Sequence, residues 1–168
     1  MKIMNKRDYE EKSLQRDFTL EIKQVEKEDR TIEFPFSSEL PVERYFGSEV
    51  LEHSREAANL KRLNDGAPFL WNHNPDQVLG VVERAYIDEK KKRGYARVRF
   101  SEEEFAESKF RDVKNKILRN ISFGYVINKA EESEDSIIAR DWEAFEVSLV
   151  SIPADNSIGI SRSINNKI

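Results

Sequence analysis

The feature that most constrains the fold is an alternation of apolar and polar residues at every second position, which recurs along much of the chain. In residues 120–127 this period places four apolar residues on one face of an extended segment: Ile121, Phe123, Tyr125 and Ile127. Ser122 and Gly124 fall on the opposite face. A serine fixed on a rigid strand beside a glycine is a candidate nucleophile, although the same position also suits an ordinary serine.

Other runs with this period predict further strands. They are residues 18–22, 32–36, 78–87, 95–100 and 145–149. Charged turns separate the first two runs and the next two, so each of these pairs is predicted to form a β-hairpin. Pro35 cannot donate a hydrogen bond to a neighbouring strand, which predicts that its strand lies at a sheet edge or ends there.

Two segments have the spacing of helices. Residues 54–63 are predicted to form a helix within a long connection, 37–67, which would form either a lid or wall of a substrate groove or a small secondary core. Residues 101–118 are predicted to form a second helix, where Ser101 and Glu104 fit a capping box. Its apolar stripe consists of Ala106, Phe110, Val113 and Ile117. Together with the strands, these segments predict a mainly β chain with helices, of the α+β class.

Length and composition favour a single domain. Of the 168 residues, we expect 17–154 to form this domain, between a flexible arm at 1–16 and a loose tail at 155–168.

The chain has no cysteine, which excludes disulfides, thiolate metal sites and cysteine nucleophiles. No apolar run approaches the roughly 20 residues of a membrane span, so we expect a soluble cytoplasmic protein. The 28 basic and 32 acidic residues are mixed along the chain, which argues against nucleic-acid or membrane binding, and the basic cluster 90–93 suits a solvated hairpin tip.

Two more residues attract attention by their setting. His73 follows an apolar run and lies in a polar turn between Asn72 and Asn74, so its imidazole could be held at the mouth of a cleft, although histidines in such turns are more often structural. Glu146 alternates with the apolar residues of the last strand. Because burial of a carboxylate costs several kcal/mol unless it is paired, Glu146 is either exposed or has a specific partner.

Ser122, His73 and Glu146 have the residue types of a nucleophile, a base and a group that orients the base. A serine hydroxyl hardly ionises at neutral pH, so it needs a histidine to take its proton. His53 is the other histidine of the chain, but it lies within the long connection, where we expect it to be loosely held and a poor catalyst.

Three motifs resemble those of a known family. They are Trp71-Asn72-His73-Asn74 leading into residues 79–82, the stretch 120–125, and the stretch 145–154. In this order they resemble the prohead maturation proteases of tailed bacteriophages, over about residues 18–153. That family is similar in fold to herpesvirus assemblin, which implies a closed or partly closed β-barrel flanked by helices.

The resemblance implies a serine endopeptidase that acts during phage head maturation. Ser122 matches the nucleophile motif and His73 the base motif, while Glu146 matches the acidic position, with Glu143 and Asp141 as alternatives. The implied substrates are the capsid scaffolding segment, the precursor of the major capsid protein and the protease itself, inside the immature capsid in the host cytoplasm. A homo-oligomer, a dimer or higher, is expected, with no cofactor, metal, membrane or specific nucleic acid.

Two further expectations accompany this assignment. A non-catalytic capsid-assembly or scaffolding module with the same fold is the alternative. Gly124, on the same face as Ser122, is expected to leave clearance for a substrate backbone.

Overall fold

Eleven strands and two helices make up the part of the chain that the computed structural model describes, residues 13–26 and 28–152. The strands are β1 (Leu14–Thr19), β2 (Gln24–Glu26), β3 (Thr31–Ser38), β4 (Val42–Arg44), β5 (Gly47–Leu51), β6 (Ala58–Asn59), β7 (Pro68–Trp71), β8 (Asn74–Asp88), β9 (Arg93–Phe100), β10 (Asn120–Glu132) and β11 (Ser136–Val150). The helices are α1 (Lys61–Asn64) and α2 (Glu104–Lys114). The predicted mainly β composition is confirmed.

All eleven strands belong to one sheet. Its main order is β1-β10-β11-β7-β8-β9-β3-β2, and β4, β5 and β6 extend it beside β11. Neighbours are antiparallel except where β5, β6 and β7 run parallel to β11. The sheet is curled, because Phe36 of β3 meets Phe123 of β10 edge to face at 5.2 Å although several strands separate β3 from β10 in the sheet. The result is a half-barrel around an aromatic core.

The alternation in residues 121–127 correctly predicts one buried face of β10. Ile121, Phe123, Tyr125 and Ile127 are all buried, and they pack with side chains from the other strands. The largest of these partners, Trp142 of β11, is fully buried as well. Burial of one such side chain stabilises the fold by about 1.5–3 kcal/mol. The opposite face of β10 is therefore fixed in position by the core behind it.

The predicted hairpin between residues 18–22 and 32–36 is wrong. Phe18 lies in β1, which pairs with β10, whereas β3 pairs with β2 and β9. Period-two alternation reports one buried face of a strand but does not identify the strand beside it. Since β1 begins at Leu14, residues 14–16 belong to the sheet and not to the predicted arm at 1–16. The rest of that arm up to residue 12 and the predicted tail at 155–168 lie outside the described residues. The prediction that the strand of Pro35 lies at an edge or ends there is wrong, because β3 lies between β9 and β2 and continues to Ser38. Pro35 itself lies past the β2 ladder, which covers Thr31–Glu33.

A buried charge holds β1 in place. The Arg16 guanidinium of β1 contacts the Glu49 carboxylate of β5 at 3.0 Å and donates to the Glu49 carbonyl at 2.7 Å. It also donates to the Tyr125 hydroxyl of β10 at 3.1 Å, and burial raises the pKa of Tyr125 to about 12. Breaking a buried pair of this kind costs about 3–5 kcal/mol. Arg16 therefore fixes β1 against the strand that carries Ser122.

The predicted helix at 54–63 is largely wrong. Only Lys61–Asn64 is helical, and Ala58–Asn59 pairs with β11 instead. The Ala58 amide does donate to the Ser54 carbonyl at 3.1 Å, but the Ala57 carbonyl accepts the Trp142 amide at 2.9 Å, so the backbone here also bonds to the sheet. The predicted secondary core is wrong, because Leu51 and Leu63 are buried in the same core as the main strands, and Tyr45 is 63% exposed. The alternative prediction, a lid or wall of a substrate groove, stays a prediction.

The second predicted helix exists but is shorter than 101–118. It spans Glu104–Lys114, and Ser101 Oγ accepts the Glu103 amide at 3.1 Å instead of forming a capping box with Glu104. Ile117 lies beyond the helix end and is 68% exposed, whereas the rest of the predicted stripe is buried.

The predicted β8–β9 hairpin is confirmed, and its tip is held by Asp88 Oδ1, which accepts the amides of Lys90 and Lys91. Neither described helix has the length and apolar character needed to cross a membrane.

Candidate active site

His73 lies in a two-residue turn between β7 and β8. Trp71 pairs with Asn74, and the two residues between them have positive φ, 50° at Asn72 and 60° at His73. This is the pattern of a type I′ hairpin turn, in which asparagine suits the first position and glycine is preferred at the second. Left-handed backbone at a residue with a side chain costs about 1–2 kcal/mol. His73 therefore occupies a position where glycine would be more stable.

Contacts to β11 hold this turn. The Asn72 amide donates to the Leu149 carbonyl at 2.9 Å, and Asn72 Oδ1 accepts the Ser151 amide at 3.1 Å. The His73 amide donates to Ser148 Oγ at 3.0 Å. The turn is thus attached to the sheet through its backbone, and the His73 ring has a defined position.

Ser122 lies under that ring. Its Oγ is 2.9 Å from His73 Nε2, and the residue is buried on a strand that pairs with β1 on one side and β11 on the other. The His73 side chain retains 22% of its exposure, so the histidine is the accessible part of the cluster. A cavity of about 650 Å³, lined by Arg30, Val78 and Phe100 among others, does not include Ser122 or His73.

The Glu146 carboxylate completes the series. Its Oε2 is 2.6 Å from His73 Nδ1, and its Oε1 accepts the Ser148 hydroxyl. A carboxylate at Nδ1 favours the tautomer in which Nδ1 carries the hydrogen, which leaves Nε2 to accept the Ser122 hydroxyl. The side chain is 12% exposed, so the specific partner that the sequence led us to expect for a buried carboxylate is present.

The two alternative acids have other partners. Glu143 faces Arg62 at 3.7 Å, and Asp141 accepts the Asn128 side-chain amide at 3.3 Å. Of these three acids, Glu146 is the one that contacts His73.

A β-bulge lies directly beside Glu146 in β11. Gly124 pairs with Glu146 and Tyr125 pairs with Ala144, so Phe145 is an extra residue between them. The predicted alternation of Phe145 with Val147 and Leu149 is therefore wrong at Phe145, because a bulge interrupts the period of two. Glu146 itself stays in regular register, opposite Gly124 as Ser148 is opposite Ser122, and this places its carboxylate on the face where it meets His73.

The expectation that Gly124 leaves clearance for substrate is also wrong. A Cβ at Gly124 would lie 2.8 Å from Phe145 Cζ and 3.3 Å from Glu146 Oε2. The space beside this glycine is filled by the bulge itself. A side chain at position 124 would therefore displace the Phe145 ring.

Sequence reasoning missed two residues beside Ser122. Ser148 pairs with Ser122 across β11, and Asp17 pairs with Ser122 across β1, so both lie in register with it. Ser148 follows Glu146 by two positions on one strand, and that spacing places it on the same face, but nothing in the sequence assigns it a role. Asp17 carries no such signal, because nothing in the local pattern indicates that β1 pairs with β10.

His53 belongs to a separate pair. It is fully buried, with Nδ1 2.7 Å from the Leu51 carbonyl and Nε2 2.8 Å from Ser37 Oγ. Burial lowers its pKa to about 4. The prediction that His53 is loosely held is therefore wrong, because the connection around it packs as a core.

The cluster has a defined chemical capacity. A histidine that accepts a serine hydroxyl at Nε2 can remove that proton during attack, and a carboxylate at Nδ1 stabilises the resulting imidazolium. A serine, a histidine and a carboxylate joined in this order on a rigid sheet define the arrangement of a serine hydrolase.

The chain belongs to the family of caudovirus prohead serine proteases, whose sequence profile matches residues 20–167. The predicted resemblance to this family is confirmed.

Individual relatives are capsid proteins and a capsid protease. The chain is 42% identical over 135 residues to the major capsid protein of Halomonas phage phiHAP-1, covering 76% of this chain and 22% of that protein. It is 28% identical over 144 residues to the capsid polyprotein of Pseudomonas phage PAJU2, covering 82% of this chain and 20% of that protein. The chain thus spans about a fifth of the length of these curated relatives.

A solved structure supports the fold. The capsid assembly protease of bacteriophage T4 superposes with a TM-score of 0.56 at 12% identity, covering 84% of this chain and 98% of that chain. At this identity the likeness concerns the fold alone.

Proposed function

We propose that this chain is a serine endopeptidase of phage head maturation, with Ser122 as nucleophile, His73 as general base and Glu146 as the group that orients the base. The observation that carries the proposal is the continuous series of hydrogen bonds, 2.9 Å from Ser122 Oγ to His73 Nε2 and 2.6 Å from His73 Nδ1 to Glu146 Oε2. Family membership supports the same reaction class.

The mechanism is acyl transfer through the serine. Ser122 Oγ attacks the carbonyl carbon of a peptide bond while its proton passes to His73 Nε2. The carbon–nitrogen bond then breaks, and His73 returns the proton to the departing amine. Water, deprotonated by His73, attacks the acyl-enzyme, and the proton returns to Ser122 as the ester bond breaks. The Glu146 carboxylate holds the imidazolium in place.

The substrates we propose are the capsid scaffolding segment and the precursor of the major capsid protein. The relatives named as a major capsid protein and a capsid polyprotein support this, since in each the segment similar to this chain makes up about a fifth of the protein. A protease joined to a capsid protein needs one cleavage to separate from it, so we include self-cleavage. The reaction would take place inside the immature capsid in the host cytoplasm, by a homo-oligomer with an assemblin-like fold.

A non-catalytic capsid-assembly module is the second candidate. One observation favours it: Ser122 is fully buried, so a peptide carbonyl reaches Oγ only after groups on that face move. The proposed protease therefore requires such a movement when substrate binds.

Co-expression with the capsid precursor of the same phage separates the two candidates. The wild-type chain should release defined fragments, identified by mass spectrometry, and should react with a fluorophosphonate at Ser122. Ser122→Ala and His73→Ala should abolish both, while Ser37→Ala, which alters a buried serine bonded to the other histidine, should retain both. Identical fragments from all variants would refute the assignment of Ser122 and His73. Absence of cleavage and labelling in the wild type within assembled particles would favour the assembly module.

A further inference from the structure

We propose that Ser148 is a positioning residue, whose single hydroxyl sets both the base and the acid of the site; this inference rests on the proposed function. Ser148 is fully buried on β11 and lies directly opposite Ser122 in the ladder between β10 and β11. Its hydroxyl bonds to the His73 amide and to Glu146 Oε1. Its influence passes through His73 and Glu146.

The first contact fixes the backbone of the base. Ser148 Oγ accepts the His73 amide at 3.0 Å. That amide belongs to the residue with φ of 60°, in a turn that would prefer glycine. The hydrogen bond opposes relaxation of the turn. Without it, the His73 ring loses one of the restraints that keep Nε2 within reach of Ser122.

The second contact fixes the acid. The Ser148 hydroxyl donates its one hydrogen to Glu146 Oε1, which leaves Oε2 to face His73 Nδ1. An ionised carboxylate only accepts and a main-chain amide only donates, so this hydroxyl satisfies both with one proton and one lone pair. The carboxylate is therefore held in one rotation about its terminal bond. The two contacts together close a ring of hydrogen bonds through Ser148, His73 and Glu146.

The geometry predicts an effect on turnover rather than on substrate binding. Misplacement of a catalytic group by about 1 Å can cost about 100-fold in rate. Ser148→Ala removes both contacts at once, so we expect kcat to fall between about 10- and 100-fold while KM stays close to the wild-type value. Ser148→Thr keeps the hydroxyl and should recover most of the lost kcat. Ser148→Cys nearly keeps the volume but donates weakly, so it should resemble Ser148→Ala.

The test combines kinetics with a spectroscopic readout. Cleavage of a peptide that spans a processed site gives kcat and KM for the wild type, the three Ser148 variants and the Ser37→Ala control. Selective ¹⁵N labelling of the two histidines gives the ring NMR signals, and His73→Ala identifies which set belongs to His73. We expect the Nδ1–H signal of His73 to shift in Ser148→Ala and Ser148→Cys, and to remain in place in Ser148→Thr and Ser37→Ala.

The outcomes separate this inference from the proposed function. If Ser122→Ala still cleaves, or if the wild type does not, the proposed function fails, and the His73 signal then decides whether Ser148 positions the ring. If Ser122→Ala is inactive but Ser148→Ala has the wild-type kcat and an unshifted His73 signal, the role of Ser148 is refuted. Should Ser148→Ala fail to fold, the cysteine and threonine variants decide: equal kcat and equal spectra in both would overturn the inference.

Discussion

The molecule contains two serine–histidine pairs with nearly the same separation. Ser122 Oγ lies 2.9 Å from His73 Nε2, and Ser37 Oγ lies 2.8 Å from His53 Nε2. The two pairs differ at the other ring nitrogen, which faces the Glu146 carboxylate in His73 and the Leu51 carbonyl in His53. They differ in access too, because His53 is fully buried whereas the His73 ring is partly exposed.

This difference concerns the charge that a working base must carry. When a histidine takes a proton from serine it becomes a cation, which a carboxylate neutralises and a carbonyl dipole only partly offsets. Burial adds a further penalty at His53 and lowers its pKa to about 4, so that ring stays neutral in the folded protein at neutral pH. A hydrogen-bonded serine and histidine therefore do not by themselves make a nucleophile. The partner of the second nitrogen and the partial exposure of the ring distinguish the candidate site from the structural pair.

The largest expected effect comes from removing the negative charge of Glu146, the carboxylate that faces His73 and has no counterpart at His53. Glu146→Gln keeps the shape of the side chain but cannot stabilise the imidazolium or enforce its tautomer, so kcat should fall by about 10⁴-fold. Peptide cleavage measures the rate, and circular dichroism should show an unchanged fold. A variant that folds and cleaves at the wild-type rate would remove Glu146 from the mechanism and leave Glu143 or Asp141 to be tested.

Acid should destabilise the protein through His53. Its pKa is 6.5 in the unfolded chain and about 4 in the fold, so between these pH values the unfolded state binds the extra proton. The free energy of unfolding is therefore at its full value above pH 6.5 and decreases as the pH falls toward 4. The total decrease due to His53 is on the order of 3 kcal/mol. Urea unfolding of the wild type and His53→Gln across this range measures it. The variant should show a shallower dependence on pH, and equal slopes would mean that His53 is not held neutral by the fold.

Ser37→Ala should lower stability and leave catalysis intact. The substitution leaves His53 Nε2 buried without its donor, which costs about 1–3 kcal/mol in the free energy of unfolding. The same serine-to-alanine change at Ser122 should abolish cleavage instead. Thermal unfolding and kcat, measured on both variants well below their melting temperatures, make the comparison. Loss of kcat in folded Ser37→Ala would show that the two pairs are coupled.

The candidate site could be predicted from the sequence because its three residues lie in recognisable local patterns. The alternation around Ser122 fixes which face of β10 is buried, and the motifs around His73 and Glu146 occur in the order of a known family. These are statements about short segments. Side-chain period and turn composition are decided by neighbours in the chain, so a sequence carries them directly.

What the sequence did not predict depends on pairing between distant segments. The partner of β1 is β10, about 100 residues away, and local alternation at Phe18 is compatible with any neighbouring strand. The bulge at Phe145 exists only relative to the register of β10. The burial of His53 likewise arises from packing of the connection against Trp142. Each of these features is set by long-range contacts rather than by local composition.

The smallest effect concerns the backbone that presents each histidine. His73 has a φ of 60°, a conformation in which any Cβ is strained, while His53 does not have a positive φ. Alanine and glycine at position 73 both remove the imidazole, so their difference isolates the backbone. His73→Gly should therefore be more stable than His73→Ala by about 1 kcal/mol, measured by urea unfolding. At position 53 the order should reverse, because glycine there only adds conformational entropy to the unfolded chain. If His73→Gly were no more stable than His73→Ala, the turn would not be strained. The hydrogen bond from the His73 amide to Ser148 would then not be needed to hold a strained backbone in place.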